Sequence, residues 1–191
     1  MQRWLAFLLL SALAACSAPI VPSPGTPVLG AAAEAPRPVS RTVSRPVVQR
    51  MPVRADYLMV DKSERLLVAY SGGKPIRAFR GLSFGDAPQG HKRFQGDERT
   101  PEGLYTIDRR NPRSSFHLSL GISYPNSNDR AFAAQYGRSP GGDIFIHGQP
   151  TGYSGPPIKG DWTDGCIALT NAEIEELWRL VPDGTPIEIR P

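Results

Sequence analysis

Cys166 and His147 are the side chains best suited to chemistry in this sequence, which holds only two cysteines and three histidines. A thiol is a strong nucleophile only as thiolate, and a neighbouring imidazole can take its proton and stabilise the charge. Such a pair needs no fixed spacing, because strands and loops bring it together. Gly165, directly before Cys166, fits the same chemistry. Lacking a Cβ, it lets a substrate carbonyl approach the N–H groups of Gly165 and Cys166, an arrangement suited to an oxyanion hole. The alternative is a buried structural cysteine beside an unrelated histidine, since free Cys often serves as a small core hydrophobe.

The surrounding elements decide whether the two meet. Asp143–Ile146 runs from a polar residue into β-branched and aromatic ones, the composition of a short strand, with His147-Gly148 at its end. Residues 152–164 hold Gly152, Gly155, Pro156, Pro157 and Gly160 and should form an irregular loop. Cys166 then leads into Ile167–Leu169, a second short strand. Thr170-Asn171-Ala172-Glu173 is a capping box. Ile174, Leu177, Trp178 and Val181 follow at i, i+3, i+4 and i+7, one apolar helical face, and Pro182 and Gly184 stop it. Upstream, Tyr57–Val60, Arg65–Tyr70, Pro75–Phe84, Leu104–Arg109 and Phe116–Ile122 read as strands. Gly85–Arg99 reads as a surface loop, Asn128–Tyr136 as a short helix and Pro186–Arg190 as a closing edge strand. The pattern predicts a mainly β, sandwich-like domain over residues 56–191, long enough for one core.

His147-Gly148, a loop, then Thr163-Asp164-Gly165-Cys166 resembles the signature of the L,D-transpeptidase catalytic domain, the YkuD-like family. Thr100-Pro101-Glu102-Gly103-Leu104-Tyr105 resembles the Thr-Pro-x-Gly-x-Tyr stretch of the same family. Many members carry Arg two residues after the Cys; this chain has Ala168. The resemblance implies that Cys166 attacks the third residue of a peptidoglycan stem tetrapeptide and expels the terminal D-Ala. His147 serves as base, and an amine acceptor resolves the thioester to a 3→3 cross-link, with no metal or organic cofactor. It also makes Gly148, Thr163 and Asp164 candidates for substrate binding. Two other readings stay open: a cysteine hydrolase such as an L,D-carboxypeptidase or peptide amidase, in which water resolves the same thioester, and a wall-binding lipoprotein without activity.

His117, on the polar side of an alternating strand, is a candidate cleft residue or a half-exposed sheet residue. Tyr124-Pro125-Asn126 is a cleft wall or a turn. His91, in the polar loop, is expected to be solvated. No CxxC or HxxxH spacing supports a metal site. Asp161, Asp164 or a main-chain carbonyl could hold the other nitrogen of His147.

Met1–Arg3 carries one positive side chain, and Trp4–Ala15 is almost wholly apolar, of signal-peptide length and too short to span a bilayer. Leu13-Ala14-Ala15-Cys16 resembles a bacterial lipobox, so residues 1–16 read as a lipoprotein-type signal with Cys16 as the lipid-bearing residue. Ser17 in second place points by the same resemblance to the outer membrane. Lipidation of Cys16 leaves Cys166 without a disulfide partner. Residues 17–55 hold eight of the twenty prolines and five arginines against Glu34, and read as an extended tether. Residues 56–191 hold sixteen Lys/Arg against seventeen Asp/Glu, net −1. The overall charge of +4 therefore resides in the N-terminal stretch, and a nucleic-acid partner finds no basic fold. The expectation is a monomeric, periplasm-facing enzyme tethered to a membrane and acting on stem peptides.

Overall fold

The computed structural model describes residues 53–191. The signal, Cys16 and nearly all of the expected tether lie outside the described residues. Alternating apolar residues build β1 (Tyr57–Asp61), β2 (Leu66–Ser71) and β3 (Lys74–Arg80) into an antiparallel meander. Then come β4 (Gly103–Ser114), β5 (His117–Ile122), α1 (Ser127–Gln135), β6 (Phe145–His147), β7 (Ile167–Ala168), α2 (Asn171–Leu180) and β8 (Pro186–Arg190). The strands form one sheet in the order β3-β2-β1-β8-β4-β5-β6-β7. The domain is mainly β, with two helices among the described residues, as the sequence predicts.

Two features fold this sheet around a core. Strand β4 is 12 residues long, pairs with β8 at its start and with β5 along the rest, and breaks register twice against β5. Such irregularities bend a strand and let it serve two layers. At the far edge, Ser83 forms an isolated antiparallel bridge with Ala168 of β7. The chain leaving β3 thereby meets the last strand, and the edge of β7 is covered. Leu58, Val60, Leu67, Phe79, Ile107, Leu120, Ile122, Ile146, Ile167, Ile187 and Ile189 fill the interior and are essentially inaccessible.

Helix α2 follows the sequence closely. Thr170 Oγ1 accepts from the Glu173 N–H at 3.3 Å, while Glu173 Oε2 accepts from the Thr170 N–H at 3.0 Å. Ile174, Leu177 and Val181 are fully buried, and α2 packs on β5 and β6. At its C-terminal end the Arg110 guanidinium donates to the carbonyls of Trp178 and Val181, satisfying acceptors a helix end leaves open. Helix α1 begins with a second capping box, Asn126 with Asp129.

Three expectations are corrected. Strand β8 is central, parallel to β1 and antiparallel to β4; a period-2 pattern shows which face is buried but not which neighbours a backbone finds. The strand expected over Pro75–Phe84 ends at Arg80, where Gly81 turns the chain at φ 72°. His91 is not solvated: its Nδ1 accepts from the Glu102 N–H at 2.8 Å, and its Nε2 lies 3.0 Å from Asp129 Oδ1. With Lys62 bonded to Glu102, Gly90 and Thr100, it anchors the long loop expected to be a free surface.

Candidate active site

The β6–β7 pairing aligns Ile146 with Ile167 and His147 with Ala168 in parallel register. Phe145 therefore stands opposite Cys166, and His147 and Cys166 share one face while the two isoleucines point into the core. Both side chains line the same two cavities. One, of about 300 Å³, is completed by Phe116, Gly142, Asp143, Ile144, Trp162, Thr163 and Asp164. The other, of about 270 Å³, is completed by Asn111, Ser114, Ser115, Phe116, Ser119, Asp143 and Phe145. The two cavities share Phe116, Asp143, His147 and Cys166, so both adjoin the sulfur.

The turn carrying the sulfur is pinned from several directions. Thr163 Oγ1 donates to the Cys166 carbonyl at 2.8 Å and accepts from the Gly165 N–H at 3.2 Å. Residues 82–86 run alongside, with Phe84 O accepting from the Thr163 N–H at 3.1 Å and Thr163 O accepting from the Asp86 N–H at 3.1 Å. Asp161 accepts a two-pronged bond from Arg65 at 2.7 Å and another from the Phe84 N–H at 2.8 Å. It is therefore committed to the loop and does not orient His147; the Arg65 bonds hold its carboxyl below the ordinary range.

Gly165 has φ 123°, and a Cβ there would stand 2.5 Å from the Arg99 carbonyl oxygen. A Cβ on Gly85 would stand 2.1 Å from Glu98 O and 2.9 Å from Gly165 N. Three backbone segments converge here, and glycine is what lets them touch. The Gly165 N–H, expected from the sequence to face an oxyanion, is already donated to Thr163 Oγ1.

His147 is oriented by the next residue. Its Nδ1 lies 2.7 Å from the Gly148 carbonyl. A carbonyl only accepts, so Nδ1 carries the proton and Nε2 presents the lone pair. Phe116 lies against the imidazole at 4.5 Å between centroids, and Trp162 meets it at 5.6 Å and 68°. Burial between these rings lowers the His147 pKa, against the opposing effect of the Gly148 bond. Burial also raises that of the half-buried Cys166, with Asp164 and Asp143 adding to the rise and the Phe145 N–H, 3.4 Å from the sulfur, opposing it. The thiol donates to the Asp143 carbonyl at 3.6 Å. Burial thus favours the uncharged form of both the thiol and the imidazole. Such a pair supports general-base attack, in which the sulfhydryl turns from Asp143 O to His147 Nε2 as the acyl carbon arrives.

The other candidates sort by position. Asp164 lies on the rim of the first cavity and Thr163 beneath it. Gly148 is structural: a Cβ there would meet Asn171 Oδ1 at 2.6 Å and Ile174 at 3.0 Å. His117 lines neither cavity at the sulfur; with φ 63° at the start of β5 it turns to Glu175 of α2, at 2.7 Å. Tyr124 is 4% exposed, packed on Tyr105 and bonded to the Pro140 carbonyl, so it belongs to the core and not to a cleft wall. Ala168 is buried under the bridge to Ser83, leaving a methyl where an arginine is expected. No group of three His, Cys, Asp or Glu is placed to hold a metal among the described residues. Phe116, Trp162 and Gly85 were missed. Only Trp162, three residues before Gly165, carried a local signal.

A family model for the L,D-transpeptidase catalytic domain, YkuD, matches residues 55–189. The chain belongs to the YkuD family. The YafK protein of Escherichia coli (strain K12) is 32% identical over 94 residues, covering 48% of this chain and 32% of that protein. Among solved structures, the helical cell shape determining protein Pgp2 from Campylobacter jejuni aligns at TM-score 0.57 and 25% identity, over 72% of this chain and 48% of Pgp2. Bd1075 from Bdellovibrio bacteriovorus aligns at TM-score 0.50 and 26% identity, over 72% and 48%. The chain therefore spans about half the length of these structures and a third of YafK. The YkuD match runs from before β1 into β8 and takes in both Cys166 and His147.

Proposed function

We propose that this YkuD domain is a thiol acyltransferase acting on peptidoglycan stem peptides. The observation that carries the reading is the position of Cys166 and His147 on one sheet face, where both line two adjoining cavities. An acyl-transfer enzyme needs that layout, with one space for the donor chain and one for the amine that displaces it. In the first half-reaction His147 Nε2 takes the thiol proton and Sγ bonds to the donor carbonyl carbon. The bond to the terminal D-Ala breaks, and its nitrogen leaves with the proton from His147. In the second half-reaction an acceptor amine attacks the thioester and yields a proton to His147 Nε2, the S–C bond breaks, and His147 passes that proton to sulfur. The lipid anchor at Cys16, the outer-membrane address and the monomeric state belong to the same proposal, as does a tether whose contour reaches ~120 Å at about 3.1 Å per residue.

The test is product analysis by mass spectrometry with a defined tetrapeptide, with and without an acceptor amine. The proposal expects cross-linked dimer plus free D-Ala with acceptor present, and neither from Cys166→Ala. Tripeptide and D-Ala alone, whatever the acceptor concentration, would replace the transferase with a carboxypeptidase. Cross-linking that survives Cys166→Ala would refute the thiol mechanism.

A further inference from the structure

Beyond the cleft, the loop before β4 and helix α1 build an aromatic ridge. Phe94, Phe132 and Tyr136 have ring centroids 5.9, 5.6 and 5.0 Å apart. Arg93 lies over Phe132 at 4.4 Å and Arg138 over Phe94 at 3.9 Å. Both arginines are exposed, and neither has an ion-pair partner among the described residues. Tyr136 is 60% exposed. Guanidinium groups held on ring faces have already given up much of their rotamer freedom, which suits them to capture of planar anions.

The ridge connects with the nucleophile. The Gln95 N–H donates to the Ser139 carbonyl at 2.9 Å, joining the loop to the segment after α1. Gln95 and Ser139 line a cavity of about 570 Å³, which shares Gly142, Asp143 and Asp164 with the cavity at Cys166. That passage carries Glu98, Asp143 and Asp164, with Lys92 also on its wall and Asp143 paired to Arg109, whereas the charged side chains of the ridge are Arg93 and Arg138.

We infer that this ridge seats the glycan strand that bears the stem peptide, with ring faces on the sugars and Arg93 and Arg138 on carboxylates of the attached peptides. The inference rests on the proposed substrate class and adds a polymer-binding surface to it. An anionic membrane is the weaker partner for the same arginines. Lipid-directed patches gather more positive charges, the folded part is net −1, and Tyr136 is the only large exposed apolar side chain on the ridge.

The experiment uses the full chain with Arg93→Glu/Arg138→Glu, and separately Tyr136→Ala. Three quantities are measured: co-sedimentation with purified insoluble sacculi, co-sedimentation with phosphatidylglycerol vesicles, and turnover of a soluble tetrapeptide. The expected result is sacculus affinity at least tenfold weaker for the double variant and at least threefold weaker for Tyr136→Ala, with soluble turnover within twofold of wild type. Unchanged sacculus affinity in both variants overturns the inference, as does a loss confined to vesicles. If the double variant misfolds by its circular dichroism spectrum, Tyr136→Ala alone decides. Wild-type protein that binds sacculi through the ridge but never turns over tetrapeptide would sink the proposed reaction and leave the ridge standing.

Discussion

Substituting Gly165 by alanine separates two explanations of this glycine. The backbone there has φ 123°, a region nearly closed to residues with a Cβ, at a cost of about 1–3 kcal/mol. The new methyl would also stand 2.5 Å from the Arg99 carbonyl oxygen and 3.4 Å from Ile144 Cδ1. The Arg99 backbone does not yield cheaply, and overpacking of this kind adds about 1–3 kcal/mol. Together these give about 2–6 kcal/mol. For a domain of this size, with an unfolding entropy of about 2.1 cal/mol/K per residue, the melting temperature falls by about 7–20 °C. Gly152→Ala is the control: φ is 83° and nothing lies within 4 Å of the added carbon, so strain alone costs about 1–2 kcal/mol, or roughly 3–6 °C. Thermal unfolding followed by circular dichroism reads both, and active-site titration with a thiol reagent follows the sulfur. A Gly165→Ala protein that melts with wild type and fails only in turnover would refute the reasoning, because the glycine would then serve substrate entry and not convergence of the backbone.

The remaining predictions concern the pair and its supports. Because burial holds His147 below the ordinary value of about 6.5, the acid limb of kcat/KM has its midpoint below that pH. Alkylation of Cys166 accelerates only above the ordinary thiol range of about 8.5; a pH-independent plateau of fast alkylation from pH 5 upward would instead demonstrate a resting ion pair. Linkage gives the matching stability term: unfolded His147 binds the proton more readily, so this stabilisation is present above about pH 6.5 and is lost as pH falls through the lower folded value. Thr163→Val removes the bonds to Cys166 O and Gly165 N at 2.8 and 3.2 Å, costs about 2–4 kcal/mol for the two unpaired groups and lowers kcat, while Thr163→Ser restores both. Phe116→Ala uncovers the imidazole, so the acid limb moves to higher pH while Cys166 labelling above pH 9 is unchanged.

What the sequence discloses depends on how local the cause is. Helix α2 was legible in full, since Thr170, Glu173 and the Ile174–Val181 face lie within one short stretch. His147 and Cys166 stood out through residue type, and the strands flanking them through composition. Partnering was hidden. Nothing near Pro186–Arg190 distinguishes a central strand from an edge, and nothing near His117 shows that Glu175 waits across 58 positions. Tyr124 and His91 misled for the same reason: each is polar at its tip, and the partners that allow burial, Pro140 for one and Asp129 for the other, lie 16 and 38 residues away. Gly85 was unreadable, because its need for a bare Cα arises from Glu98 and Gly165, which the chain brings to it only when folded.

Strand β8 joins the β3-β2-β1 meander to the half that carries the sulfur. Ribosomes make both of its neighbours long before they make the strand between them. Until Ile187 and Ile189 arrive, β1 and β4 each offer an unsatisfied ladder, open to pairing with another chain. The nascent protein is therefore most prone to aggregate before β8 emerges, and Cys166 is handed a finished pocket only once that strand has been inserted.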